Sequence, residues 1–264
     1  MKTYIITDLN SDLFFLLKNI LRKNPQIRLN VNSILKQIGL LKRLSLASFM
    51  EKNEDIQGAF FCVPDITGFT KFIATSELSF SSYFIPGLLR RLIGANIIKL
   101  NVGEIEGDAI FFYKTGRLPS ISMVARQCRL LFQTFHEYLK MIEKEDPENY
   151  AKHLAEGQMG LKIIIHHGQI MAANIKGRTK LIGQNVIIAH KLLKNSIKEG
   201  EYVLLTQDYI DKVKGKDIAA WFPWGEVKQG SETYEYLGEV KYSYIPFEIK
   251  EMFSNALMTD MKTS

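Results

Sequence analysis

Two acidic side chains stand where apolar packing would not choose them. Asp65 closes the apolar stretch Gly58–Val63 (GAFFCV) and leads through Ile66 and Thr67 into Gly68-Phe69-Thr70, while Asp108 follows Gly107 in the middle of EIEGDAIFFY. An acid at the end of a buried strand, followed by a glycine turn into a helix, suits a metal and phosphate site. Carboxylate oxygens hold hard divalent cations, and the backbone N–H groups of such a turn face anions. A second acid at a hairpin corner would share the metal, and two metals between two carboxylates serve in-line displacement at phosphorus. Spacing alone is equally compatible with Asp65 capping the helix that starts near Gly68 and with Asp108 occupying an ordinary β-turn.

The elements that must position these acids are legible in the hydrophobic pattern. Short apolar runs predict strands at 58–63, at 161–165 and 169–173, and at 202–205, and two strands joined by a tight turn across 99–113. Helical spacing marks 80–98, interrupted at Pro86 and Gly87, then 121–144 and 185–196. This order predicts an α+β fold, an antiparallel-rich sheet with helices on one face.

Charge is unevenly distributed along the 264 residues. Residues 1–50 hold eight basic and two acidic side chains, an excess equal to the whole chain's +6, so residues 51–264 are neutral. A nucleic-acid binder carries its basic face on the folded domain, so the net charge does not point to nucleic acid. The basic stretch reads as amphipathic helices, with Leu13, Phe14, Leu16, Leu17, Ile20 and Leu21 on one face and Lys18, Arg22 and Lys23 on or beside the other. Packing on the main domain is the favoured role; docking on a partner or an anionic membrane is the alternative. Two cysteines, Cys62 and Cys128, are too few for a disulfide framework, and no secretory signal precedes them, so a cytoplasmic location is expected.

The ordered motifs DITGFT (65–70), EGDAIFF (106–112), LKIIIHHGQI (161–170) and IGQNVIIAHKLL (182–193) resemble those of class III nucleotidyl cyclases, in a divergent bacterial branch. The resemblance spans about residues 58–240. It divides the chain into a helical extension (1–56), a cyclase-like domain (57–242) and a C-terminal tail (243–264). It implies a ferredoxin-like core that pairs head to tail as a homodimer, with sites at the interface that convert a purine nucleoside triphosphate into a 3′,5′-cyclic nucleotide. By motif, Asp65, Asp108 and the Ile66 carbonyl hold two Mg²⁺ or Mn²⁺ ions, and the Gly68, Phe69 and Thr70 backbone cradles phosphates. Glu104 and Lys180 take the purine-selecting positions, Glu104 favouring guanine, and Lys228 falls near a triphosphate-binding lysine.

The resemblance also exposes departures. Where the family's helix places an asparagine and, four residues on, an arginine that stabilises transition-state charge, this chain has Ile187 and Lys191. Lysine keeps the charge but loses the planar fork, so the expected enzyme is slow, or is a nucleotide-binding or dimerising module without turnover, or a docking scaffold. Across the dimer, Lys180 opposite Glu104 would either pair with it and fill the purine pocket or leave and admit a nucleotide. His166 and His167, adjacent on a strand, point to opposite faces and read as structural, and His190 as a helix-surface residue beside Lys191.

Overall fold

The computed structural model describes residues 56–155, 157–213 and 217–247, all within the unit Ile56–Ser264. The N-terminal extension expected at 1–56 lies outside the described residues except for Ile56, as does the tail beyond 247. Eight strands form the sheet: β1 (Gln57–Thr67), β2 (Asn101–Glu106), β3 (Ala109–Thr115), β4 (Gly160–Ile175), β5 (Arg178–Ile182), β6 (Tyr202–Thr206), β7 (Lys228–Tyr234) and β8 (Gly238–Pro246). Their order is β2-β3-β1-β4-β6-β8-β7, with β5 paired to β4. Every pairing is antiparallel except β4–β6.

The helices are α1 (Phe69–Thr75), α2 (Leu78–Gly94), α3 (Ile121–Glu145), α4 (Pro147–His153), α5 (Gln184–Lys191), α6 (Gln207–Lys212) and α7 (Ile218–Trp221). β1 and β4 are central and covered on both faces, which is why they read as continuous apolar runs rather than alternating ones. Phe60 and Cys62 of β1 join Leu161, Ile163 and Ile165 of β4 in the larger core under α1–α4. Phe61 and Val63, with Ile164, face the smaller core that α5 closes through Val186, Ile188 and Ala189. The expected helical layer on one face is therefore α1–α4; α5 adds cover on the other.

Three local expectations change. Pro86 stands inside a continuous α2, and the bare Cα of Gly87 beside it gives room to Tyr138 of α3. A Cβ at Gly87 would lie 2.2 Å from the Tyr138 hydroxyl, which donates to the Phe84 carbonyl at 3.2 Å. The two strands expected at 161–165 and 169–173 are one sixteen-residue strand, β4. β8 runs to Pro246, so residues 243–246, expected in the tail, belong to the sheet.

One fully satisfied polar chain ties the smaller core together. Tyr209 N–H donates to Thr206 Oγ1 at 3.4 Å, and the Thr206 hydroxyl meets His166 Nδ1 at 2.9 Å. His166 Nε2 is 3.1 Å from Asn185 Oδ1, and the Asn185 amide donates to the Gln169 carbonyl at 2.9 Å. The neutral Nε2–H tautomer satisfies every link. Burial pushes the His166 pKa down to about 4. Gly168 makes room for this chain, since a Cβ there would stand 2.0 Å from Asn185 Cγ.

Candidate functional site

Asp65 sits at the end of β1 on the side of Phe61 and Val63, opposite Lys162 in the β4 register. The Lys162 ammonium is 2.9 Å from Asp65 Oδ2, and both side chains are largely buried. Lys162 also donates to the Leu193 carbonyl at 2.6 Å, just beyond α5. Buried charges need partners, and here each supplies the other's.

Asp108 reaches the same place from the β2–β3 hairpin. Glu106 pairs with Ala109, so Gly107 and Asp108 form a two-residue turn, and Gly107 takes φ +59°, a conformation glycine adopts at no steric cost. Phe69 of α1 lies beside the turn, so a Cβ at Gly107 would stand 3.7 Å from its ring. Burial and the negative charge of Asp65 push the Asp108 pKa up to about 7. Two adjacent carboxylates cannot both ionise cheaply, and near neutrality they hold a proton between them.

The two acids line an open pocket of about 400 Å³ with Ile66, the Gly68–Lys71 turn, Lys162 and Lys194. The Ile66 side chain is buried in the larger core, so only its backbone faces the pocket. Gly68 has φ +84°, and a Cβ there would lie 2.2 Å from the Gln158 carbonyl oxygen, so only glycine lets the turn approach the segment before β4 this closely. Oxygen donors on converging elements, one of them holding a proton that a cation would displace, fit a Mg²⁺- or Mn²⁺-class ion. A larger pocket of about 670 Å³ shares Thr67 with this one, but its His136 and Glu201 are paired with each other at 3.0 Å.

The purine-selecting positions form a second cluster. Glu104 gives Oε2 to Lys180 at 3.1 Å and Oε1 to His190 Nε2 at 3.0 Å. The expected Glu104–Lys180 pair thus exists within one chain and needs no dimer. His190, expected to be an idle surface residue, is instead clamped: its ring stacks on Phe111 with centroids 4.4 Å apart, and Nδ1 lies 3.4 Å from Glu106 Oε2. Ile187 and Lys191, one turn apart on α5, are exposed and do not line the Asp65–Asp108 pocket. Lys228 is held away from it too, paired with Glu199 at 2.8 Å.

Within one chain, then, the structure brings together Asp65, Ile66, Gly68, Phe69, Thr70 and Asp108, and separately Glu104 and Lys180. Sequence reasoning missed Lys162 and His190. The signal for Lys162 was a single lysine inside an aliphatic strand; for His190 no local signal existed, because its partners on β2 are more than 80 residues away.

A family of proteins of unknown function (DUF2652) matches residues 85–202. A Mycobacterium tuberculosis protein described as uncharacterized protein Rv2561/Rv2562 is 29% identical over 155 residues, which is 58% of this chain and 69% of that protein. Among solved structures, the guanylyl cyclase Cya2 superposes with a TM-score of 0.54 at 13% identity, over 75% of this chain and 96% of that one. The adenylyl cyclase CyaB from P. aeruginosa gives a TM-score of 0.50 at 11% identity, over 73% and 95%. A bacterial light-regulated adenylyl cyclase gives 0.51 at 12% identity, over 85% and 65%. The chain has the fold of adenylyl and guanylyl cyclase catalytic domains. Among the described residues, no helix is long and apolar enough to cross a membrane.

Proposed function

We propose that this protein binds a purine nucleoside triphosphate with a divalent cation at the Asp65–Asp108 pocket and converts it slowly to a 3′,5′-cyclic nucleotide. The observation that carries this reading is the convergence of Asp65 and Asp108 from two elements onto one pocket, with a proton held between them. A divalent cation bound there supplies positive charge to the triphosphate and acidifies the ribose 3′-hydroxyl.

The chain's own residues do the rest. Lys162 holds Asp65 in place, and with Lys194 gives the pocket wall positive charge beside the phosphates. Gly68–Thr70 keeps backbone close to the anion. Lys191, Glu104 and Lys180 do not line this pocket, so a complete site takes them from a second chain in a head-to-tail homodimer. Supporting that pairing, Val102 and Ile105 of β2, Ile175 and Ile182 of the β4–β5 hairpin, and Ile187 of α5 are each 43–56% exposed, apolar side chains that association could cover.

Slow turnover follows from α5. Without the family's amide at 187, and with an ammonium rather than a guanidinium at 191, developing charge on the α-phosphate meets poorer geometry. The loss of one such donor costs about 2.7–4 kcal/mol, a factor of ~10²–10³.

A second reading, a nucleotide-binding or dimerising regulatory module without turnover, is favoured by one observation: both carboxylate oxygens of Glu104 are already engaged. Incubation with Mn²⁺ and ATP or GTP separates the two. Cyclic product that vanishes in Asp65→Ala and Asp108→Asn supports the enzyme. Metal-dependent binding without product leaves the module, and neither at millimolar nucleotide removes both.

A further inference from the structure

Among the described residues, Glu104, Glu106 and His190 form the group of side chains whose donor atoms gather most like a metal site: one atom from each lies within 4.8 Å of the others. Its frame is rigid. Glu104 and Glu106 are two residues apart on β2 and leave the same face of the strand, in unbroken register with Phe111 and Ala109 of β3. The His190 ring lies flat on Phe111, with the planes 10° apart.

The cluster's own chemistry asks for a cation. Carboxylate oxygens offer lone pairs, and an imidazole nitrogen that carries no proton offers another, so such groups face each other closely only around a proton or a cation. Yet both ring nitrogens face carboxylate oxygens, Nε2 at 3.0 Å from Glu104 and Nδ1 at 3.4 Å from Glu106. The Nε2–H donates to Glu104, whose other oxygen is held by Lys180. Nδ1 is the nitrogen left facing Glu106. Its 3.4 Å separation is long for a charge-assisted hydrogen bond, which runs about 2.7–2.9 Å. It matches instead two ligands of one tetrahedral zinc, which at bond lengths of about 2.0–2.2 Å stand roughly 3.4 Å apart.

We infer that His190 Nδ1 and Glu106 hold a zinc-class divalent ion, with Glu104 orienting the imidazole through Nε2–H and water completing the coordination. The arrangement is a carboxylate–histidine–metal relay, in which the outer carboxylate fixes the tautomer and raises the ring's basicity. The nitrogen ligand selects zinc over magnesium, which prefers oxygen and water. Partial exposure of all three side chains gives the ion a path in. Bound there, the ion pins β2 to α5.

The test is calorimetric titration of chelator-treated full-length protein with Zn²⁺ in millimolar Mg²⁺, so that the oxygen-only Asp65–Asp108 pocket is already supplied. Co²⁺ absorption serves as a second readout. One ion per chain is expected, with nitrogen-ligand bands for Co²⁺, and Glu106→Ala and His190→Ala abolish it. Glu104→Ala weakens it by about tenfold or more, the usual cost of losing an outer-shell partner. The Glu106 side chain is 63% exposed, so its removal leaves packing intact, and circular dichroism verifies the fold of each variant. Absence of Zn²⁺ binding under these conditions, displacement by Mg²⁺, or undiminished binding in Glu106→Ala overturns the site. The cyclase reading fails on a different result, nucleotide binding and turnover that do not depend on Asp65 and Asp108, although Glu106 also lines that pocket.

Discussion

Lys162 stands directly across from Asp65 in the β1–β4 register, and its ammonium closes on the Asp65 carboxylate at 2.9 Å. The pairing divides the labour between the two acids. Asp65 has a fixed cation, whereas the charge of Asp108 is opposed by burial and by Asp65 itself. One carboxylate is thereby fixed in place, and Asp108 holds a proton that a cation would replace.

Removing Lys162 leaves Asp65 buried without its partner. Breaking a buried ion pair from one side costs ~3–5 kcal/mol, and because both side chains keep some solvent contact the lower end applies. Lys162→Met is expected to destabilise by about 3 kcal/mol in urea unfolding, and Asp65→Asn in the same chain to restore part of that loss. An unchanged unfolding midpoint in Lys162→Met would contradict the pairing.

The raised Asp108 pKa gives cation binding a pH dependence. Below about 7 a proton occupies Asp108 and competes with the ion, so Mn²⁺ affinity rises with pH through that value and levels off above it. For the metal-free chain the linkage sign is the reverse. A carboxyl whose folded pKa lies above its unfolded value stabilises the fold at low pH and loses that contribution as pH rises through about 7. Asp108→Asn should flatten both profiles; Mn²⁺ affinity that stays constant from pH 6 to pH 8 would count against the shared proton.

Asp65 and Asp108 were legible in the sequence because each breaks a pattern, an acid ending an apolar run or following a glycine at a hairpin corner. The opposite-face reading of His166 and His167 rests on the same period-two geometry, and His166 is indeed buried in the smaller core while His167 lies beside Gly58. Lys162 escaped because a lysine in LKIII reads as an exposed strand residue; that it faces inward depends on the acid opposite, on a strand nearly 100 residues earlier. The His190 clamp is likewise a product of register and of the way α5 lies over β2 and β3. β7 and β8 carry Gly, Ser and Glu at many positions, so their alternation is weak and only the pairing with β6 reveals them.

Burial of neutral His166 makes the fold sensitive to acid. Its folded pKa of about 4 lies below the ordinary 6.5, so the stability it contributes is complete above pH 6.5 and is lost as pH falls toward 4. The loss is on the order of 3 kcal/mol. His166→Gln should remove most of that slope from denaturation profiles between pH 6.5 and pH 4, at the cost of lower stability at pH 7. An equal slope in the variant would place the acid sensitivity elsewhere.

Each Glu104 oxygen already has one partner, so a guanine reading the same carboxylate competes with Lys180 and His190. Lys180 is the more exposed of the two and the one whose removal leaves α5 untouched. Lys180→Ala is expected to strengthen GTP binding relative to ATP by about tenfold, since one hydrogen bond to a charged group is worth ~1.5–3 kcal/mol. Calorimetry with Mn²⁺ and each nucleotide measures the ratio. If the ratio does not move, Glu104 does not read the base.

The surface of α5 offers the sharpest test of why turnover would be slow. Ile187 is half exposed and Lys191 exposed, one turn apart on the same face, so both can be exchanged without entering either core. Asparagine at 187 supplies an amide that can orient the ribose, and arginine at 191 supplies the planar fork that matches a phosphate in two places at once. If the carboxylate pocket is competent and only this half of the site is deficient, Ile187→Asn with Lys191→Arg should raise cyclic-nucleotide formation by about 10²-fold, the scale of one recovered transition-state donor. The gain should appear in kcat rather than in KM, because the restored contacts form as charge develops. The same double variant carrying Asp108→Asn should stay inactive. A double variant that binds Mn²⁺ and nucleotide but gains no turnover would locate the deficiency outside α5 and leave the regulatory module as the better description.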